Sequence, residues 1–284
     1  MKKVGIIVNT QKTDNVSYMT NVKKVIDYLA DSAELYMERQ FEGLSEKVGY
    51  FSYSELLAVS EYMIVMGGDG TIIRVSGDCA RRSIPVLGIN LGRIGFMTEV
   101  EPNAIEDALD KFVSDDYKTE KRIMIKAEVR RDGKKTDTFH ALNDIVVSKA
   151  DGVKLLCLDL YTDGELVNRY IADGLIIATP TGSTGYSISA GGPVADPSMD
   201  LFLATPICAH MLSARSAVLS SDKELLIKED ENYGSFKAIV TADGETKCEI
   251  DTSCEVVITR SQYALELIKI GSQSFYDTLI KKLS

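Results

Sequence analysis

The residues with most chemical promise are Gly67-Gly68-Asp69-Gly70-Thr71, which follow the apolar run Tyr62-Met63-Ile64-Val65-Met66. Three glycines let the backbone approach a ligand closely and aim its N–H groups at it. The segment also opens a helix, whose N-terminus is suited to phosphate. Asp69 is the odd member, because a carboxylate beside phosphates is repelled unless a cation intervenes or a proton must be handled. Both needs arise in phosphoryl transfer, where a divalent cation bridges phosphates and a base orients the attacking hydroxyl. Gly67, Gly68, Gly70 and Thr71 then face phosphate, with Arg74 one turn along the helix aimed at the same anion. The competing reading is a tight strand-to-helix turn with Asp69 as an N-cap.

Further segments add to this one. Asn90-Leu91-Gly92-Arg93-Ile94-Gly95-Phe96 follows a second buried strand, and taken singly reads as a turn. Residues 173–193 run from Asp173 and a short strand into a loop dense in Thr, Ser, Gly and Pro. It contains Thr181, Thr184, Gly185, Tyr186 and Ser189. Small hydroxylated residues can wrap a polar ligand, and Tyr186 offers a flat face to a ring. Asn143-Asp144 can read an adenine edge and hold ribose hydroxyls, although a lone pair of this kind usually marks a strand-start turn. No Gly-x-Ser-x-Gly elbow, GxGxxG fingerprint or GxxxxGK[ST] loop is present, which argues against a serine hydrolase, an ordinary Rossmann dehydrogenase and a P-loop kinase.

The elements that must position these residues divide into two regimes. Over the first hundred residues, strand and helix signals alternate: strands at 3–8, 33–37, 62–66 and 84–90, helices at 17–30, 71–80 and 103–112. Asn103 is the expected N-cap of the last helix, with Glu106 completing the capping pattern. Alternation of this kind predicts a Rossmann-like α/β domain with a mostly parallel sheet. Beyond residue 115 strand-like runs are joined by Asp132-Gly133, Asp163-Gly164 and Asp243-Gly244, all strong hairpin turns. Strands are expected at 121–130, 153–161, 224–228, 236–241, 247–250 and 255–260. The predicted organisation is an α/β nucleotide-binding domain over residues 1–114, joined by 263–284. A β-rich, mostly antiparallel dinucleotide-binding domain covers 115–262, and a last helix at 275–283 packs back on the first domain.

The chain has 284 residues, 45% apolar and 26% charged, values of an ordinary globular protein. The net charge of −10 disfavours a nucleic-acid backbone or an anionic membrane as partner. No apolar stretch approaches the ~20 residues needed to cross a bilayer. The N-terminus reads as a strand rather than a secretory signal. Five dispersed cysteines and two histidines offer no dedicated metal site. A cytoplasmic protein with reduced, mostly buried thiols is expected.

In order and rough spacing, these segments resemble the ATP-dependent NAD kinases, bacterial type, over residues 1–280. The stretch Thr205-Pro206-Ile207-Cys208-Ala209-His210-Met211-Leu212-Ser213-Ala214-Arg215 looks like that family's later segment. GGDG is shared with lipid kinases and phosphofructokinases; the block 179–187, TPTGSTGYS, narrows the choice. The resemblance implies transfer of the γ-phosphoryl of ATP, carried with Mg²⁺ or another divalent cation, to the 2′-hydroxyl of the adenosine ribose of NAD. Asp69 would be the catalytic carboxylate. Gly67, Gly68, Gly70, Thr71 and Arg74 would meet the phosphates. Asn143 would read the adenine of NAD and Asp144 its ribose. Asp173 would contact the nicotinamide end across a subunit boundary. Asp69, Gly70, Thr181, Thr184, Gly185, Tyr186 and Ser189 would complete the pocket. A homodimer or homotetramer is similarly implied.

The sequence departs from the family pattern at several places. Asp144 stands where Glu is common and Gly185 where Ala is usual. Ala209 and Ser216 take places where Pro is common. Ile171 replaces a frequent Arg, for which Arg169 or Lys154 could substitute. His210 resembles a family histidine and reads as structural. Asp243-Gly244-Glu245 falls near a family contact region, and the turn is the favoured reading there, so Glu245 is a secondary candidate. A GGDG kinase acting on a lipid or sugar hydroxyl and a non-catalytic dinucleotide sensor remain as alternatives.

Overall fold

A computed structural model of the chain describes residues 1–92, 95–150, 154–211, 213–230, 237–271 and 274–283. The chain divides into two compact units: Met1–Lys121 with Ala264–Ser284, and Arg122–Tyr263.

In the first unit β1 (Lys2–Val8), α1 (Val16–Leu29), β2 (Ala33–Glu38), β3 (Val48–Phe51), α2 (Tyr53–Val59), β4 (Tyr62–Gly67), α3 (Asp69–Arg82), β5 (Val86–Asn90) and α4 (Ile105–Val113) follow in order. The strands lie parallel in the order β3-β2-β1-β4-β5. Such strands are buried on both faces, which is why residues 62–66 are apolar without alternation; Met63, Ile64, Val65 and Met66 are wholly buried. Helix α1 starts at Asn15, whose side chain accepts the Tyr18 N–H at 3.0 Å. Its face, Tyr18, Val22, Val25, Ile26 and Leu29, joins strand residues Val4, Ile6, Leu35 and Ile64 in one core.

Local details depart from the sequence reading. The expected Asn103 cap is replaced by a 3₁₀ turn, Pro102–Ala104, and α4 begins after Ala104 with no side-chain cap. Pro102, with a fixed φ and no N–H to satisfy, is suited to the first position of that turn. β3 and α2 carried no sequence expectation; a capping box made by Ser52 and Glu55 sets the start of α2.

The second unit contains β6 (Lys118–Arg131, entering from the first unit), β7 (Lys134–Ala141), β8 (Asp144–Lys149), β9 (Leu156–Thr162), β10 (Glu165–Ala172), β11 (Gly174–Ala178), the one-turn α5 (Tyr186–Ser189), β12 (Leu201–Ile207), β13 (Ala217–Ser220), β14 (Leu225–Glu229), β15 (Ala238–Ala242), β16 (Glu245–Ile250) and β17 (Cys254–Lys269). One antiparallel sheet has the order β13-β12-β11-β8-β15-β16. Within this unit β10, β9, β14 and β17 form a second antiparallel series, with β6 pairing β17 and β7. Ile145, Val147, Leu175 and Ile177 of the first sheet share a core with Leu158, Leu160, Val256 and Ile258 of the second.

All three Asp-Gly pairs are hairpin turns with both φ angles positive, Asp132/Gly133 at 50° and 73°, Asp163/Gly164 at 47° and 85°, Asp243/Gly244 at 51° and 80°. The strand expected at 255–260 is longer, because β17 runs on into the first unit, where Leu267 pairs parallel with Val86 of β5. The expected strand starts at 153 and 236 lie outside the described residues. Helix α6 (Phe275–Leu283) packs on the first unit through Phe275, whose ring is 5.7 Å from that of Phe96.

Candidate functional site

The turn between β4 and α3 is organised by its glycines. A Cβ on Gly67 would come within 2.4 Å of Thr71 Oγ1, so this close backbone approach needs glycine. Gly68 is the helix N-cap and Asp69 is the first residue of α3. Asp69 therefore does not cap its own helix, and the N-cap alternative fails. Its side chain reaches into the next loop, where Oδ2 accepts the Phe96 N–H at 2.8 Å and Oδ1 the Met97 N–H at 3.0 Å. Gly95 makes room for this: a Cβ there would lie 2.1 Å from Asp69 Oδ1. Gly95, Phe96 and Met97, at the end of a segment that read only as a turn in the sequence, thus seat the carboxylate. Asn90 shapes its start by accepting the Gly92 N–H through Oδ1 at 2.9 Å. Arg93 and Ile94 lie outside the described residues.

The strand order places a topological switch between β1 and β4. In open α/β sheets, ligands bind at the carboxyl ends of the strands beside such a switch. A cavity of about 380 Å³ occupies this place, lined by Gly68, Gly70, Thr71 and Arg74 after β4 and by Asn9, Thr10 and Lys12 after β1. Arg74 leans on the end of β1, its Nη2 donating to Val8 O at 3.4 Å. Two cations and the N-terminus of α3 converge here, a setting for phosphate. Lys12 was not singled out from sequence. It follows the first strand in a polar run without glycine, and only the strand order brings it beside the Gly68 turn. A second cavity of about 600 Å³ adjoins on the far side of the 3₁₀ turn Thr10–Lys12, sharing Gln11 and Lys12 and reaching Asn15, Asn21 and Leu91.

In the second unit Asn143 and Asp144 stand at the head of β8, gripped by the hairpin turn at Asp243. The Asp243 carboxylate accepts backbone N–H groups from Leu142 at 2.8 Å, Asn143 at 2.7 Å and Asp144 at 3.3 Å. Asp243 is thus both the expected turn residue and the clamp of the Asn-Asp pair. Asp144 is 5% exposed. Burial, and secondarily the Asp243 charge, push its carboxyl from 3.8 up to about 7. Burial also raises Asp243, against the lowering effect of its three N–H donors.

The hydroxyl-rich loop closes over the same pair. Thr179 N donates to Asn143 O at 2.8 Å and Thr179 Oγ1 to Leu142 O at 2.6 Å. Gly182 lies so close beneath that a Cβ would meet Asn143 O at 2.1 Å. At Gly185 a Cβ would sit 3.3 Å from Gly182 O and 3.6 Å from Asn143 Nδ2, tight but not closed to alanine. Asn143 Oδ1 is buried and has no hydrogen-bond partner among the described residues. Buried polar atoms are rarely left unpaired, so this acceptor has a hydrogen bond to offer beyond those the described residues supply.

The other expected site residues divide. Thr181 is buried, with Arg122 Nη1 donating to its Oγ1 at 3.4 Å, and Thr184 Oγ1 donates to Thr181 O at 3.3 Å. Tyr186 is 49% exposed, its ring open to a ligand, and Ser189 is exposed on the same short helix α5. Asp173 forms an ion pair with Lys149 at 2.6 Å, a partner not foreseen. Arg169, a candidate to replace the missing arginine, has its guanidinium held by Asp159 at 2.6 Å and Asp230 at 2.8 Å. Lys154 is exposed. His210, expected as a satisfied structural residue, has an exposed side chain, and its backbone N–H donates to Ile171 O at 2.9 Å. Glu245 is turned to solvent, paired with Lys247 at 2.6 Å. Among the described residues no group of three His, Cys, Asp or Glu side chains could hold a metal ion. No helix of the described residues is long and apolar enough to cross a membrane.

Comparison with known proteins places these features in a family. The family model described as the ATP-NAD kinase N-terminal domain matches residues 4–117, and that of the ATP-NAD kinase C-terminal domain matches 142–270. An NAD kinase of a Thermoanaerobacter species is 36% identical over 288 residues, covering 100% of this chain and 99% of that protein. An NAD kinase of Agathobacter rectalis is 37% identical over 285 residues, covering 100% of this chain and 99% of its own. Among solved structures, an Archaeoglobus fulgidus NAD kinase in complex with ATP aligns with a TM-score of 0.75 at 27% identity, covering 99% and 98% of the two chains. Yeast NADH kinase complexed with NADH has the same fold, with a TM-score of 0.86 at 23% identity over 99% of this chain and 86% of its own.

Proposed function

This chain belongs to the ATP-NAD kinase family, and from that premise we propose that it transfers the γ-phosphoryl group of ATP to the 2′-hydroxyl of the adenosine ribose of NAD. The observation that carries the reading is the crevice at the β1/β4 switch. There Lys12, Arg74 and the start of α3 gather beside the Asp69 turn. The triphosphate binds in it, its charge met by the two cations and the Gly68, Gly70 and Thr71 backbone.

The attacking hydroxyl is a weak nucleophile, and the protein must mainly position it and neutralise charge. Asp69 is held by two backbone donors, so its carboxylate keeps one orientation, with lone pairs left to accept the ribose hydroxyl proton. Asn143 reads the adenine of NAD through its unpaired Oδ1, and Asp144 holds the ribose. Tyr186 covers the dinucleotide, with Thr181, Thr184, Gly185 and Ser189 along its path and Asp173 toward the nicotinamide end. The divalent cation is read as part of the Mg-ATP substrate, where it neutralises phosphate charge. A cytoplasmic homodimer or homotetramer belongs to the same reading.

The test is incubation of purified protein with Mg-ATP and NAD, with NADP read by an NADP-specific dehydrogenase. NADP appearing in proportion to enzyme supports the proposal. NAD binding without NADP formation makes the chain a dinucleotide sensor, and phosphorylation of diacylglycerol or fructose 6-phosphate in its place makes it a different GGDG kinase.

A further inference from the structure

The last helix brings a cation to the reacting centre. Lys282, in the final turn of α6, places Nζ 3.9 Å from Asp69 Oδ2. The same ammonium lies 4.3 Å from the centroid of the Phe96 ring. Phe96 is the residue whose N–H donates to Asp69 Oδ2, so carboxylate, ring and ammonium form one packed group. At the other end of the helix Phe275 rests on the same ring and fixes the direction of approach.

Two properties of this contact matter. At 3.9 Å the ammonium attracts Asp69 without a hydrogen bond, so its three N–H donors are not spent on that carboxylate. Both side chains are partly open, 32% for Lys282 and 24% for Asp69, so the pair faces space that a ligand can enter. A cation near a helix C-terminus has a generic explanation in the helix dipole. Lys281 shares that explanation, but only Lys282 points at Asp69.

We infer that Lys282 is a further catalytic cation of this site, donating to the γ-phosphoryl oxygens of the nucleotide as the group passes to the hydroxyl oriented by Asp69. Phosphoryl transfer spreads negative charge over three equatorial oxygens, and a fixed cation beside them stabilises the transition state more than the ground state. Beside Asp69 it adds to Lys12, Arg74 and the divalent cation carried with ATP in offsetting the triphosphate charge. The inference rests on the proposed role of Asp69, and a parallel variant separates the two.

The experiment uses the full chain with Lys282→Met, which keeps the stem length and removes the charge, Lys282→Arg, and Asp69→Asn. Steady-state kinetics with ATP and NAD, NAD titration and thermal melts are measured for each. Lys282→Met is expected to lower kcat by ~10²-fold, the usual scale for one transition-state donor. Affinity for NAD and the melting temperature should be unchanged, and Lys282→Arg should recover most of the loss. A near-parental kcat for Lys282→Met overturns the inference. So does an equal loss in Lys282→Met and Lys282→Arg accompanied by a lowered melting temperature, which makes the residue structural. If Asp69→Asn keeps its turnover while Lys282→Met loses it, the Asp69 role fails and the Lys282 contact to phosphate stands.

Discussion

The carboxylate of Asp69 is held by the backbone of Phe96, whose N–H donates to Oδ2 at 2.8 Å, with Met97 donating to Oδ1. A group tied at both oxygens is oriented before any ligand arrives, which is the condition for efficient proton handling. Asp69→Asn is expected to cut kcat by ~10²–10⁴, the usual worth of a positioned base. NAD affinity, measured by titration without ATP, should stay near parental. Preserved turnover would remove Asp69 from the chemistry.

Gly95 tests the seat itself. A methyl group there collides with Asp69 Oδ1 and must displace it. Gly95→Ala is expected to lower kcat severalfold while the melting temperature falls by less, because the methyl also meets Thr98 Oγ1 at 2.5 Å and the strain is relieved by turning the Asp69 and Thr98 side chains. A large fall in melting temperature with normal kcat in the surviving fraction would mean that the loop, not the carboxylate, gives way.

Lys12 and Arg74 line one cavity from two different strand ends. Replacing either by Ala should raise KM for ATP about tenfold, the order expected for one lost charge-assisted hydrogen bond, with KM for NAD little changed. Parallel increases for both substrates would contradict the assignment of this crevice to the donor.

Asp243 clamps the head of β8. Asp243→Ala leaves three backbone N–H groups without their acceptor, each costing about 1–3 kcal/mol if it stays buried. The variant should lose stability in chemical denaturation and raise KM for NAD more than KM for ATP. A variant of normal stability and normal NAD binding would show that the strand head needs no clamp.

Asp144 makes stability depend on pH. Its folded-state pKa, about 7, is above the ordinary 3.8, so the protonated form is favoured by folding. That contribution is complete below about 4 and is lost as pH rises through about 7. Asp144→Asn mimics the protonated carboxyl. The parent should therefore melt progressively below the variant as pH rises across this window, and the gap should level off above it. Parallel melting curves would place the titration elsewhere.

Much of this protein was legible in the residue order. Periodicity marked the alternating strands and helices of the first unit, and three Asp-Gly pairs marked hairpins of the second, because these signals are local. GGDGT and the TPTGSTGYS loop declared themselves because glycine and hydroxyl density is unusual after a buried strand. What only the tertiary structure decided is which residues meet. Lys12 reaches the Gly68 turn through the strand order, Asp243 reaches Asn143 through pairing of β15 with β8, and Lys282 reaches Asp69 through the docking of α6. The same packing ties Arg169 to Asp159 and Asp230 and leaves His210 and Glu245 exposed. Sequence spacing carries the propensity of a segment, but a contact between residues far apart in the chain depends on how the sheets and helices stack, which no short stretch of chain encodes.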